Sequence, residues 1–253
     1  MKKLFFISFV VMAIACGNSL PSKSDTISRD EIVTTNHSIS TNGSIIIEER
    51  PWQAFSKIEN KTSFDVHLID SPERKINIEA PDNLVPYIKT TFEGGKLTIS
   101  VKSNYKFRSN NKIVIYVPVT NQLKEIVQKG SGDIEMKTTL DVSSMNCVVN
   151  GSGDISVNVN AKTVDLTVQG SGDIEAYGSA EKLTVSVNGS GDIDAKKMIA
   201  KQADINVNGS GDAEAYVTQN VKAAIKGSGD VEVYGNPQKR QVTHKGSGRV
   251  YFK

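Results

Sequence analysis

The tetrapeptide Gly-Ser-Gly-Asp recurs through the second half of the chain, and this repeat constrains the fold more than any other feature. Successive copies are 18 to 21 residues apart. They begin at Gly130, Gly151, Gly170, Gly189, Gly209 and Gly227, and a Gly-Ser-Gly-Arg variant begins at Gly246. A period near twenty residues is far too short for a domain. It predicts a solenoid in which one small supersecondary unit stacks on the next.

The residues on either side of each tetrapeptide alternate between apolar and polar side chains. Around Gly170, for example, Leu166 and Val168 precede the tetrapeptide, Ile174 and Ala176 follow it, and polar residues lie between the members of each pair. Alternation with a period of two is typical of a strand with one buried face. Each unit, or rung, of about 19–20 residues therefore holds two strands, and the predicted fold is an all-β, right-handed parallel β-helix.

Two further regions flank the regular rungs. Residues 44–120 lack the tetrapeptide but contain alternating runs separated by Pro, Gly and Asn, so they are predicted to form an all-β section that closes one end of the solenoid. Residues 121–253 form the repeat itself. In its last rung His244 occupies a position that is apolar in the middle rungs, and the aromatic-rich residues 250–253 are expected to cap the other end.

The N-terminus carries the features of an exported protein. Residues 1–15 combine a basic start with an apolar run that is too short for a permanent membrane span, which predicts a signal peptide. Small residues then precede Cys16, and this arrangement resembles the lipobox of bacterial lipoproteins. The resemblance implies a lipid anchor on Cys16, and Gly17 is similar to the residue found in lipoproteins sorted to the outer membrane. An ordinary signal peptide with an incidental cysteine is the alternative.

The Ser-, Thr- and Asn-rich residues 16–43 are predicted to form a flexible tether between the anchor and the folded body. The chain has 30 Lys and Arg against 28 Asp and Glu, and Lys2 and Lys3 belong to the predicted signal peptide. The mature chain is therefore neutral and lacks the basic surface of a nucleic-acid binder. With only two cysteines, Cys16 and Cys147, no disulfide framework is expected.

The aspartates of the tetrapeptides are predicted to stack along one ridge as a structural turn ladder. They are Asp133, Asp154, Asp173, Asp192, Asp212 and Asp230. In the structural interpretation, the glycines supply positive φ, and the Ser and Asp side chains accept hydrogen bonds from turn N–H groups. The alternative is that calcium binds between rungs. One carboxylate per rung would give a thin coordination shell, so neither a metal site nor a cofactor is predicted.

The sequence gives little support for catalysis. Gly-Ser-Gly is not the Gly-x-Ser-x-Gly nucleophile elbow, and seven nearly identical serines indicate a structural role. The three histidines have no metal-ligand spacing, and Cys147 occupies an apolar column. A non-enzymatic protein is therefore predicted. Two alternatives stay open: a carbohydrate-active enzyme, which would need an acidic cluster that breaks the repeat, and a purely structural envelope component.

Three tyrosines form a candidate binding surface. Tyr177, Tyr216 and Tyr234 each follow the tetrapeptide aspartate by four residues, at an outward position, and two of them lie on adjacent rungs. An exposed tyrosine presents both an apolar ring and a hydroxyl group. It can therefore stack on a sugar or anchor a protein partner.

Over residues 52–250 the chain resembles the auto-transporter adhesin head domains, also called head GIN domains, which are common in lipoproteins of Bacteroidetes-type bacteria. The resemblance rests on Phe64-Asp65-Val66, residues 55–58, 80–88 and 95–99, and the Gly-Ser-Gly-Asp-Ile rungs. It implies a β-helical fold and an envelope location, and it supplies no catalytic residues. The long regular faces of the predicted solenoid are expected to present a binding surface, with an adhesin-like role and a glycan or protein ligand.

Overall fold

The computed structural model of the chain describes residues 37–40, 43–103, 105–108 and 112–253. The predicted signal peptide, Cys16 and most of the predicted tether lie outside these residues. About 65% of the described residues are strand and none is in an α-helix, so the all-β prediction is confirmed. No helix in the described part has the length and apolar composition needed to cross a bilayer.

The strands are short at the two ends of the described chain and long in the repeat. One 3₁₀ helix, Val85–Tyr87, lies between the fifth and sixth strands. In chain order the strands are β1 (His37–Ser40), β2 (Ile45–Pro51), β3 (Lys57–Asn60), β4 (Asp65–Ile69), β5 (Lys75–Pro81), β6 (Ile88–Glu93), β7 (Lys96–Val101), β8 (Tyr105–Arg108), β9 (Val114–Pro118), β10 (Glu125–Gln128), β11 (Ile134–Met136), β12 (Leu140–Val149), β13 (Ile155–Val168), β14 (Ile174–Val187), β15 (Ile193–Gly209), β16 (Ala213–Gly227), β17 (Val231–Tyr234), β18 (Lys239–Gly246) and β19 (Val250–Phe252).

The predicted β-solenoid is confirmed, with about seven turns and rungs roughly 19 residues apart. Strands β12 to β16 pair in parallel, each with the next, and β13 to β16 each run from one tetrapeptide turn to the following one. The inward columns are continuous: Leu166 lies beside Val185, and Val185 lies beside Ile205. These three side chains are at most 1% exposed. Burial of these columns is the main stabilising contribution to the stack.

The turn glycines are required mainly by close contact between rungs. A Cβ atom built on Gly191 would lie 2.1 Å from the carbonyl oxygen of Gly172, and one built on Gly153 would lie 2.0 Å from that of Gly132. Among the tetrapeptide glycines, only Gly209, Gly227 and Gly246 have positive φ, and each is the first glycine of its turn. The expectation that positive φ explains these glycines is therefore wrong for most of them.

The N-terminal section contributes two rungs to the same solenoid, and their stacking order differs from the chain order. Strand β3 pairs in parallel with both β7 and β10, and β4 pairs in parallel with both β9 and β11. The earliest rung in the chain therefore lies between the second rung and the regular repeat. Its turn, residues 62–65, stacks against the tetrapeptide that begins at Gly130, as the hydrogen bond of 3.3 Å from the Gly132 N–H to the Thr62 carbonyl shows.

Antiparallel strands close the N-terminal end of the stack. Strand β6 pairs with β7, β5 pairs with β9, and β2 pairs with β5, all antiparallel. The ring of Phe55 lies 6.2 Å from Trp52 and 6.1 Å from Phe92, and the Trp52 indole N–H donates to the Pro118 carbonyl at 2.7 Å. These aromatic rings pack against the first inward columns.

The C-terminal end is closed on one side only. Val250 and Phe252 of β19 are half-buried against the core, and the guanidinium carbon of Arg240 lies 4.2 Å from the Phe252 ring centre. Every residue of β18 is exposed, including Val242 and His244, which continue the inward columns of Ala223 and Ile225. The predicted aromatic contact therefore forms at β19, while β18 leaves the end of its sheet open.

Part of the predicted tether is folded. Strand β1 pairs in parallel with β8, with His37 beside Tyr105. The tether prediction for residues 16–43 is therefore wrong at residues 37–40, because the backbone of these residues is hydrogen-bonded in a two-stranded sheet.

Candidate functional site

The turn aspartates form a continuous ladder of hydrogen bonds between rungs. Each carboxylate Oδ1 accepts the backbone N–H of the equivalent residue in the next rung. The distances are 3.0 Å from Asp154 N to Asp133, 2.8 Å from Asp173 N to Asp154, 2.7 Å from Asp192 N to Asp173, 2.7 Å from Asp212 N to Asp192, and 2.6 Å from Asp230 N to Asp212. The aspartates therefore join neighbouring turns to one another.

Both ends of this aspartate ladder extend beyond the repeated motif. Asp65, which our sequence reasoning did not assign to the ladder, accepts the Asp133 N–H at 3.2 Å and pairs with Lys112 Nζ at 2.6 Å. At the other end, the Arg249 N–H donates to Asp230 at 2.7 Å. A lysine and an arginine thus flank the row of carboxylates. The signal for Asp65 was its position before Val66, which matches the Asp-Ile step of the regular rungs.

A second acidic column runs beside the ladder, two residues further along each rung. Neighbouring members are in register, and they are Glu135, Glu175, Asp194, Glu214 and Glu232, with Ser156 completing the column. The expectation of a single carboxylate per rung is therefore wrong. Burial, followed by the charges of Asp133, Asp173 and Glu175, raises the pKa of Asp154.

Lysines neutralise several members of the second column. Lys196 Nζ lies 2.8 Å from Asp194 and 2.9 Å from Glu214, and Lys253 Nζ lies 3.3 Å from Glu232. Among the described residues, no group of three or more His, Cys, Asp or Glu side chains is arranged to hold a metal ion. The arrangement of these carboxylates serves backbone and lysine contacts.

The candidate nucleophiles and bases do not come together in the described part of the chain. The turn serines are exposed, and Ser228 and Ser247 contact each other at 3.3 Å between their Oγ atoms. His67 contacts Glu135 at 3.7 Å, and burial lowers its pKa. Cys147 is fully buried, and burial raises its pKa to about 12, so its thiol stays protonated at neutral pH.

The structure separates the three candidate tyrosines. Tyr216 and Tyr234 are direct neighbours on β16 and β17, but Tyr177 on β14 is in register with Lys197. The Tyr177 hydroxyl donates to Glu175 at 2.7 Å, and Lys197 Nζ lies 4.9 Å from the centre of its ring. The Tyr234 hydroxyl donates to Glu232 at 2.7 Å. Tyr216 is the most exposed of the three, at 36%.

Ile199 completes an apolar patch that sequence reasoning missed. It is 56% exposed and in register with Tyr216, because the register between β15 and β16 shifts from Ala195 to Ile199. We call Ile199, Tyr216 and Tyr234 the tyrosine patch. The sequence feature that could have predicted the exposure of Ile199 is the uneven spacing of the tetrapeptides, which is 20 residues from Gly189 to Gly209 and 18 residues from Gly209 to Gly227. This uneven spacing is typical of a bulge, which changes the direction of a side chain.

By its fold, the protein is a β-solenoid. Its turns are joined by the aspartate ladder, and its outer faces are charged. Residues 54–237 match the model of the family described as "putative auto-transporter adhesin, head GIN domain". The chain belongs to this family, as its sequence resemblance predicted. Membership indicates an adhesin-like, non-enzymatic role and a location in the cell envelope or at the cell surface.

Solved structures support the same fold. The chain is similar to a putative adhesin from Bacteroides fragilis, with 24% identity, a TM-score of 0.78, and coverage of 85% of this chain and 100% of the other. It is also similar to a putative lipid binding protein from Parabacteroides distasonis, with 25% identity, a TM-score of 0.72, and coverage of 86% and 100%. A comparison with functionally curated proteins finds no match.

Proposed function

We propose that this protein is a lipid-anchored adhesin-type binding protein of the outer membrane that performs no catalysis. Cys16 carries the anchor, and the solenoid presents its outer faces to a glycan or protein ligand. The tyrosine patch is the ligand-binding surface. The observation that carries this proposal is the exposure of Ile199 and Tyr216 on neighbouring strands, at 56% and 36%, within an outer face that is otherwise polar or charged.

The chemistry of the tyrosine patch suits recognition of a sugar or a protein loop. The aromatic rings of Tyr216 and Tyr234 lie on adjacent strands, where strands are about 4.8 Å apart. Aromatic rings supply a large contact area with few rotatable bonds, and the phenol hydroxyl supplies a hydrogen bond. Contiguous exposed apolar patches are typical of interaction sites.

A glycan array probed with the purified full chain in detergent tests this proposal. The wild-type protein is expected to bind a subset of glycans, and Tyr216→Ala combined with Ile199→Ser is expected to lower that affinity at least tenfold. Tyr177→Ala is the matched control, because it removes the same side chain outside the patch. Equal binding by the patch variant and wild type would contradict the proposal, as would cleavage of a bound glycan seen by mass spectrometry.

A further inference from the structure

We propose that a second surface, near the C-terminal end of the solenoid, binds an acidic polysaccharide. Two adjoining concavities of about 420 and 440 Å³ lie on the outer face of β14, β15, β16 and β18, and they share four lining residues. We call them together the C-terminal groove. The shared residues are Lys182, Asp204, Lys222 and Gln241.

The groove is cationic although the mature chain is neutral. Its ionisable lining residues are three lysines, Lys182, Lys222 and Lys239, one acid, Asp204, and Arg240, whose guanidinium group lies over the Phe252 ring. Asp204 pairs with Lys182 at 3.2 Å. Neither Lys222 nor Lys239 forms an ion pair within the described residues, so their ammonium groups are available to a ligand.

The last rung extends this positive charge to the end of the solenoid. Strand β18 contains three Lys or Arg residues, Lys239, Arg240 and Lys245, and no Asp or Glu. All eight residues of β18 are exposed, and its far edge pairs with no strand in the described chain. A concave surface with charges of one sign focuses the field and raises the local concentration of a ligand of opposite charge.

The floor of the groove carries polar, uncharged side chains that suit a hydroxylated ligand. Thr184, Asn206 and Thr243 line it with hydroxyl and amide groups, and the short side chain of Ala224 makes room between them. Hydroxyl and amide groups both donate and accept hydrogen bonds, as sugar hydroxyls also do. The lysine ammonium groups are donors only and suit the carboxylates of a uronic acid.

The lining residues disfavour two other classes of partner, single-stranded nucleic acids and proteins. None of these residues is aromatic, whereas sites for single-stranded nucleic acids stack bases on aromatic rings. The cores of protein–protein interfaces are enriched in aromatics and depleted of lysine, and this groove has the opposite composition. The groove and the tyrosine patch are formed by different segments of β15 and β16, so the two sites can be tested separately.

Binding of polygalacturonate to the purified full chain in detergent tests the proposal. We expect saturable binding at low salt that weakens strongly at about 0.5 M salt, where charges are screened beyond a few ångströms. The double variant Lys222→Gln with Lys239→Gln is expected to lose at least tenfold in affinity. Lys89→Gln with Lys162→Gln is the matched control, because both lysines are exposed, form no ion pair in the described chain and lie outside the groove.

Three results would overturn the assignment. They are the absence of saturable binding by wild-type protein at low salt, an equal loss in the two double variants, and binding of poly-L-glutamate as tight as that of polygalacturonate. Circular dichroism of each variant separates lost binding from lost folding. The Tyr216→Ala, Ile199→Ser variant should bind polygalacturonate normally, so failure at the tyrosine patch and failure at the groove give different results.

Discussion

Each aspartate of the ladder has two opposing effects on stability. Its carboxylate accepts a charge-assisted hydrogen bond from the next rung, which contributes about 1.5–3 kcal/mol when the acceptor is charged. Neighbouring carboxylates about 5 Å apart repel each other by roughly 1 kcal/mol in water. The hydrogen bonds therefore exceed the repulsion. The positive charges of Lys112 and Arg249, at the two ends of the ladder, also offset part of the repulsion between the carboxylates.

The contact between neighbouring turns makes a residue-scale prediction about glycine. Gly191→Ala places a methyl group 2.1 Å from the Gly172 carbonyl oxygen, and 2.9 Å from two backbone carbons, so the rungs must separate. We expect a loss of about 3 kcal/mol in the free energy of unfolding, at the upper end of overpacking effects. Denaturant unfolding of the purified variant measures this loss.

Gly94→Ala is the control for that prediction. Gly94 has a φ of 57°, but a Cβ atom there would meet nothing within 4 Å. The left-handed conformation alone costs roughly 1 kcal/mol for alanine. If Gly94→Ala proved as destabilising as Gly191→Ala, backbone conformation rather than contact between rungs would explain the turn glycines.

At the scale of strands and turns, Glu59 forms ion pairs with lysines of three different rungs. It lies on β3, is only 5% exposed, and contacts Lys61 of its own rung at 3.5 Å, Lys96 of β7 at 3.1 Å and Lys129 of the following rung. Burial alone would raise the pKa of Glu59. The hydrogen bonds and charges of the lysines outweigh burial and lower the pKa from 4.5 to about 2.

This lowered pKa predicts a pH-dependent contribution to stability. The folded state holds the proton of Glu59 more weakly than the unfolded state, so the stabilisation is complete above pH 4.5 and is lost as the pH falls towards 2. The expected size is about 3 kcal/mol. Glu59→Gln should be less stable than wild type at pH 7, and the gap should close at low pH, as measured by urea unfolding at several pH values.

Glu93→Gln provides the comparison for this titration. Glu93 lies on β6, is exposed, and has no ion pair among the described residues. Its substitution should leave the stability curve of the wild type nearly unchanged. A gap between wild type and Glu59→Gln that is constant from pH 7 to pH 2.5 would show that Glu59 acts through packing instead of charge.

At the scale of the whole molecule, the two ends of the solenoid differ in how they terminate the parallel stack. Antiparallel strands and aromatic rings close the N-terminal end, while exposed β18 leaves its edge free at the other. A free strand edge is a hazard because it can pair with another chain. The Lys and Arg residues of the last rung oppose pairing between two copies, since such pairing would bring like charges together.

The lipid anchor is a prediction about the whole molecule. Cells that express Cys16→Ser should release the protein into the soluble fraction, whereas wild type stays with the membranes, because several acyl chains are needed for durable attachment. Fractionation and immunoblotting measure the distribution. Cys147→Ala, which removes the other cysteine, should remain in the membrane fraction; release of that variant, or retention of Cys16→Ser, would refute the anchor.

The sequence by itself determined the repeat architecture, because period and alternation are local properties of the chain. The tetrapeptide spacing predicts the rungs, and the alternation of residues such as Leu166 and Val168 predicts which side chains are buried. The ridge of aspartates follows directly from stacking equivalent positions. No tertiary information is needed where one unit repeats with nearly constant length.

Only the tertiary structure decided the features that depend on contacts between distant segments. The β3 rung lies between β7 and β10 because of strand pairing between segments tens of residues apart. The same stacking places Asp65 in the aspartate ladder. The exposure of Ile199 depends on where the bulge in β15 absorbs an extra residue. The C-terminal groove needs side chains of four strands, so its charge is visible in the sequence but its concave shape is not.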